Sequence, residues 1–204
     1  GGQGSGGGRD QGSVGFGGIG SALAGILRAF NVNVLVHDPF ADGKRVAAAG
    51  ARKTDLETLL GTSDFVSINV PLTASTRGMI GAKEIGMMKP SAFLINTSRG
   101  FVCDDEALAA ALRDKRIAGA AVDVFAGEPK VENNPLVRLE CDSLILTPHV
   151  AGANNIDAMT MVGEKLAECV VRIKNGQFPI NVVNPDASRT PLPGECRTPS
   201  FVSR

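Results

Sequence analysis

Gly15-Phe-Gly-Gly-Ile-Gly20, with the helical stretch after it and Val34-Leu-Val-His-Asp38 beyond, decides the reading of the fold. The first segment has the form G-x-G-x-x-G. Gly15 permits a tight turn, Gly17 lets a pyrophosphate approach the main chain, and Gly20 allows a helix to pack closely. Gly18 and Ile19 then lie in the first helical turn, where free N–H groups and the helix dipole favour an anion. Asp38 follows at roughly the twenty-residue distance at which a carboxylate can accept both ribose hydroxyls of an adenosine. A carboxylate there repels a 2′-phosphate, which favours NAD over NADP. The plain alternative for Asp38 is a turn residue before Pro39, since Asp-Pro opens turns.

Outward from this unit the pattern alternates. Short apolar runs stand at Val34–Val36, Phe65–Val70, Ala92–Ile95, Ala120–Val124 and Leu144–Leu146. Nearly continuous apolar strands suit a parallel sheet covered on both faces. Helical periods separate them. Ile19, Leu23, Ile26, Leu27 and Phe30 form one stripe, and Leu108, Ala111 and Leu112 a second. Met159, Val162, Leu166, Val170 and Ile173 form a third, on a long helix ending near Gly176. Thr54 and Glu57 have capping-box spacing. The expectation is an α/β, Rossmann-type doubly wound parallel sheet. Its first strand looks truncated, because Arg9–Ser13 is polar where a buried strand needs apolar residues.

Residues 1–12, rich in glycine, read as a flexible lead-in, 13–184 as the dinucleotide-binding domain, and 185–204 as a disordered, proline-containing tail. Lys plus Arg and Asp plus Glu both number 21, so the chain is formally neutral and has no general field for nucleic acid. No apolar run is long enough for a membrane span. Cys103, Cys141, Cys169 and Cys196 are scattered and there are two histidines, so no metal site is expected. Scattered thiols point to a reducing, cytoplasmic compartment. The chain begins with Gly, which leaves open a cleaved signal or an upstream segment.

Several segments, in order, resemble the D-isomer-specific 2-hydroxyacid dehydrogenase family, which includes phosphoglycerate dehydrogenase-like enzymes. They are VGFGGIG with HDP, SINVPLTASTRGMIG, MKPSAFLINTSRG, AGAAVDVFAGEP and LTPHVAGA. The likeness covers roughly residues 14–185, which in that family is the NAD-binding domain. The family's long N-terminal substrate-domain segment has no counterpart here, so the chain reads as the cofactor domain of a longer enzyme. The resemblance implies interconversion of a 2-hydroxy acid and its 2-keto acid with NAD. It also implies a homodimer.

It places Arg99, Glu128 and His149 at the catalytic positions. An imidazole can take or return the hydroxyl proton. A neighbouring carboxylate can fix its tautomer. A guanidinium presents a planar fork to a carboxylate and carbonyl. The cofactor positions implied are Gly15, Gly17, Gly18, Ile19, Gly20, Asp38, Val70, Pro71, Thr76, Thr97, Ser98, Arg99, Asp123, His149 and Gly152. Val70 and Pro71 would lie beneath adenine and ribose, and Asp123 would accept a hydrogen bond from the nicotinamide amide. Gly18 stands where the family often has Arg, and Cys103 is expected only to pack. The alternatives are a surface arginine, a Glu-Pro turn, a loop histidine and, for Asp123, a turn or N-cap aspartate. For the whole molecule the alternative is a non-enzymatic NAD-sensing module of corepressor type, since the substrate lobe is missing.

Overall fold

A strand buried on both faces needs its main-chain N–H and C=O groups taken up by neighbours. In the computed structural model, which describes residues 9–152, 155–180 and 182–184, seven strands form one sheet. They are β1 (Asp10–Val14), β2 (Asn33–His37), β3 (Ala51–Lys53), β4 (Phe65–Ile68), β5 (Phe93–Asn96), β6 (Gly119–Val122) and β7 (Leu144–Leu146). Their order is β3-β2-β1-β4-β5-β6-β7, and each neighbouring pair is parallel. Strand order reverses between β1 and β4, and that switch point opens a crevice at the carboxyl edge.

Among the described residues there are six α-helices: α1 (Gly18–Leu27), α2 (Gly43–Ala48), α3 (Leu56–Thr62), α4 (Ala82–Met87), α5 (Asp105–Arg113) and α6 (Ile156–Lys174). Successive strand residues face opposite sides. Leu35 accordingly joins one core cluster, with Leu59, Ile68 and Leu94, while Val34 and Val36 join another, with Phe16 and Val46. The sheet is therefore covered on both faces, as its apolar runs require.

The first strand is not truncated. β1 runs five residues, so Asp10, Gln11 and Gly12 belong to the sheet and not to a lead-in. Its polar groups are answered internally. Gln11 Nε2 donates to Gly12 O at 2.9 Å. Ser13 Oγ donates to Gly15 O at 2.9 Å and accepts from Asn69 Nδ2 at 3.0 Å. A buried polar strand costs little once its groups are paired.

Two other expectations need correcting. The α1 stripe faces the core only in part: Ile19, Ile26 and Phe30 are exposed, Leu27 packs against the cluster of Phe16 and Val36, and the fully buried positions are Gly20 and Ala24. Small residues win there because the helix start lies against the glycine turn. The cap of α3 is Asp55, which accepts Thr58 N–H at 2.7 Å, and not Thr54, whose N–H donates to Val36 O of β2 at 2.8 Å. The short α2 and β3, lacking a clear apolar period, escape the sequence reading altogether.

The chain divides into two units at the Ala151–Gly152 junction. The second unit contains α6. Asn155 caps it, its carboxamide oxygen accepting the N–H groups of Asp157 and Ala158. Arg172 and Lys174 lie in its last turn, where they suit the dipole. The stripe Met159, Val162, Leu166 and Val170 is exposed. The expected tail, 185–204, and residues 1–8 of the expected lead-in lie outside the described residues.

Candidate active site

Parallel strands deliver all their carboxyl ends to one edge, and the candidate residues follow those ends. The glycine turn leaves β1. Asp38 immediately follows β2. Val70 and Pro71 follow β4, Thr97–Arg99 follow β5, Asp123 follows β6 and His149 follows β7. Neighbouring strands lie about 4.8 Å apart, so the ends of β5, β6 and β7 are close.

The turn after β1 is built for glycine. Gly15 has φ of 101°, and a Cβ there would fall 2.5 Å from Asn69 O. A Cβ at Gly20 would fall 2.3 Å from Gly15 O. Gly17 and Gly18 differ: a Cβ at either would meet nothing within 4 Å. Space is therefore left open beside the start of α1. That helix start has no side-chain cap and no acid in its first turn, so its N–H groups and positive dipole end are free for an anion.

Gly17, Gly18 and Ile19 line a cleft of about 580 Å³ with Val70, Pro71, Leu72 and Thr97–Arg99. This volume suits a small-molecule site. A pyrophosphate at the open glycines and a nucleoside over Val70–Pro71 match these walls. Asp38 is fixed at the crevice mouth: Oδ2 accepts Phe16 N–H at 2.8 Å and Oδ1 accepts Phe40 N–H at 2.9 Å. Each oxygen keeps a further lone pair for a ribose hydroxyl. Lys53 Nζ holds the next loop through Pro39 O at 3.3 Å and Ala41 O at 2.7 Å.

Glu128 and His149 meet. Glu128 Oε2 lies 2.6 Å from His149 Nδ1, and Oε1 accepts Phe125 N–H at 2.5 Å. They line an apolar cavity of about 410 Å³ with Phe125, Val131, Leu146 and Pro148. A carboxylate at Nδ1 favours the tautomer that leaves Nε2 free to exchange a proton with a reactant. His149 has φ of 56°, a left-handed backbone that costs a non-glycine residue about 1 kcal/mol and persists only where surroundings enforce it.

Asp123 supplies the enforcement. Its Oδ1 accepts the Thr147 hydroxyl at 2.5 Å and Val150 N–H at 2.9 Å, and both oxygens lie 3.2 Å from Ala151 N. Burial opposes its charge, but these hydrogen bonds outweigh burial and hold its carboxyl below the usual range. Asp123 thus fastens the histidine loop, a task the sequence reading did not foresee.

Other expected residues fall variously. Arg99 is exposed in the cleft, its Nη1 donating to Ser98 O at 2.6 Å. Thr76 is not among the cleft walls. Its hydroxyl donates to Pro71 O at 2.6 Å and accepts Thr73 N–H at 2.8 Å, closing the turn after β4. Gly152 belongs to the second unit. Cys103 is buried in the core, and burial pushes its thiol up, which suits packing. Among the described residues no group of His, Cys, Asp and Glu could hold a metal ion. Sequence reasoning missed Phe16, Asn69 and Lys53, because main-chain donors and cross-chain amides leave no spacing signal.

A glycine turn at the switch point of a parallel sheet, facing a carboxylate at the next strand end, defines a dinucleotide-binding α/β domain. The family model for the D-isomer specific 2-hydroxyacid dehydrogenase, NAD binding domain, matches residues 5–151. The chain belongs to that family. It is 40% identical over 187 residues to a glyoxylate reductase of Korarchaeum cryptofilum, covering 92% of this chain and 55% of the relative. It is 36% identical over 177 residues to a D-3-phosphoglycerate dehydrogenase of Archaeoglobus fulgidus, covering 87% and 33%. Among solved structures it resembles a D-isomer specific 2-hydroxyacid dehydrogenase of Lactobacillus delbrueckii ssp. bulgaricus in NAD complexed form. There the TM-score is 0.76 and the identity 33%, over 86% of this chain and 56% of that one. The chain thus spans about half the length of the glyoxylate reductases it matches.

Proposed function

We propose that this chain is the NAD-binding half of an oxidoreductase that interconverts 2-hydroxy acids and 2-keto acids. The observation that carries the reading is the 2.6 Å contact between Glu128 and His149 Nδ1. It stands on the sheet edge that also carries the open glycine turn and Arg99. A carboxylate–imidazole pair is what a proton-transfer step at that edge requires.

NAD, when bound, supplies or accepts the hydride. The protein binds, orients and moves the proton. Gly17, Gly18 and the start of α1 receive the pyrophosphate. Asp38 receives the adenosine ribose and disfavours a 2′-phosphate. In the reducing direction His149 Nε2–H donates to the substrate oxygen while Glu128 stabilises the imidazolium. In the oxidising direction Nε2 accepts the hydroxyl proton. Arg99 turns from Ser98 O to the substrate carboxylate and carbonyl, where its fork offsets charge developing on oxygen.

The substrates are small 2-keto or 2-hydroxy acids, of the kind processed by the glyoxylate reductases. A second lobe completes the cleft, because orientation between two walls is what makes the step fast. The molecule works as a homodimer, supported by the exposed apolar stripe of α6. It works in the cytoplasm, supported by its scattered free thiols. Among the described residues no helix is long and apolar enough to cross a membrane.

The test is NADH oxidation by the full-length protein with a panel of 2-keto acids. Turnover that Arg99→Ala and His149→Gln abolish supports the reading. Tight NADH binding without turnover on any acid overturns it in favour of the nucleotide-sensing module.

A further inference from the structure

Asp105 occupies the first position of α5, beside its N-cap Asp104. An acid in a first helical turn normally faces water, where the dipole favours it at no cost in burial. Asp105 instead turns inward and is only 5% exposed. Its Oδ2 accepts Ala126 N–H at 2.9 Å and Asn134 Nδ2 at 2.6 Å. Its Oδ1 has no hydrogen-bond partner. Burying a carboxylate with one oxygen unpaired is costly, and burial pushes this carboxyl up. Nothing in the stability of α5 asks for that cost.

The bonds it makes show what the cost secures. Asn134 Nδ2 also reaches Ala126 O at 3.4 Å, and Asn134 Oδ1 is held by Leu136 N–H at 3.0 Å. Both main-chain polar groups of Ala126 are therefore gripped by side chains. The residue before it is fixed as well: a Cβ at Gly100 would fall 2.0 Å from Phe125 C, so the two backbones touch. Glu128 lies two residues on from this held turn, and its Oε1 accepts the Phe125 N–H.

We propose that Asp105 and Asn134 are positioning residues that hold Glu128 against His149. They act through the main chain of Ala126. The inference rests on the catalytic reading of Glu128 and His149. Displacing the turn by a fraction of an ångström moves the carboxylate from Nδ1 and releases the imidazole tautomer, while the cleft at Gly17 is left intact.

The experiment is a long-range ¹H–¹⁵N imidazole correlation spectrum of the 204-residue chain above neutral pH; with two histidines in all, His37→Asn assigns the signals. The wild type is expected to show mainly the Nδ1–H tautomer at His149. Glu128→Ala is the control and returns the ring to its solvent mixture. Asp105→Ala and Asn134→Ala are expected to follow it, with a roughly threefold to tenfold fall in the Nδ1–H to Nε2–H ratio, the effect of one hydrogen bond. Asp105→Asn keeps an acceptor for Ala126 and Asn134 and is expected to stay near wild type. If Glu128→Ala changes nothing, the catalytic pair itself is refuted. If Glu128→Ala shifts the ring while folded Asp105→Ala and Asn134→Ala do not, the positioning role is overturned. The same holds if Asp105→Asn shifts it as far as Asp105→Ala. Should Asp105→Ala not fold, Asn134→Ala and Asp105→Asn decide the matter.

Discussion

Asp38 Oδ2 accepts the Phe16 N–H at 2.8 Å, joining the end of β2 to the glycine turn across 22 positions of sequence. One carboxylate thus does two things at the switch point. It fixes the turn that must receive the pyrophosphate, and it presents its remaining lone pairs where a ribose would lie.

Asp38→Ala is therefore expected to weaken NADH binding by about tenfold or more, the scale of one charge-assisted hydrogen bond. Asp38→Asn keeps an acceptor for Phe16 and removes the charge that repels a 2′-phosphate. It should narrow the preference for NADH over NADPH. Titration calorimetry with both nucleotides checks this.

Gly15→Ala is expected to destabilise the domain by roughly 2 kcal/mol or more, because the backbone is left-handed and the new Cβ strikes Asn69 O. Gly17→Ala meets open space and should leave the thermal midpoint nearly unchanged while lowering nucleotide affinity. Paired melting curves and binding isotherms separate the two.

Asp123→Ala removes the acceptor for Thr147, Val150 and Ala151. Stability should fall by about 1–3 kcal/mol, and the histidine loop should gain proteolytic sensitivity. A denaturant titration and limited proteolysis of the same variant measure both.

Acid should destabilise this fold through particular carboxyls. Asp64 is held low first by the Asp10 N–H and then by Lys89, and Asp123 is held low by its loop despite burial. In the unfolded chain such groups take up protons near the ordinary value of about 4. Their stabilisation is complete above that pH and is lost as pH falls through their lower folded values. Asp105 runs the other way: raised by burial, it opposes folding as pH rises through its folded value. Urea midpoints from pH 7 to 2 should drop at the acid end, less steeply for Asp64→Asn. Asp105→Asn should gain stability at pH 7 relative to pH 3.

In the full-length protein, His149→Gln and Glu128→Gln are expected to lower turnover by roughly 10²–10⁴-fold, the range for a lost acid–base group or its partner. NADH affinity should hardly move. Steady-state rates with a 2-keto acid, beside calorimetric binding, test that split.

The turn Gly15–Gly20, Asp38 and the apolar runs of β4 to β7 were legible in the linear chain through local rules: φ freedom and strand alternation. Arg99, Glu128 and His149 were picked out only by the resemblance of the short segments that carry them to a family, because no spacing rule links residues so far apart. The polar β1 misled because its side chains are paired in the fold, Gln11 and Ser13 with nearby main-chain oxygens and Ser13 also with Asn69 beyond β4. The α1 stripe misled because close packing at Gly20 outweighed hydrophobic period.

What the amino-acid order determined by itself was a parallel α/β sheet with a nucleotide turn and a set of acid–base side chains. Turns and strand periods are short-range properties that each segment carries alone. Only the tertiary structure decided that Glu128 meets His149, that Asp123 fastens the histidine loop, and that Asp105 faces inward to grip Ala126. Those contacts join residues some 20 to 30 positions apart. They exist because parallel strands bring distant loops to one edge, where burial makes every unpaired polar group costly.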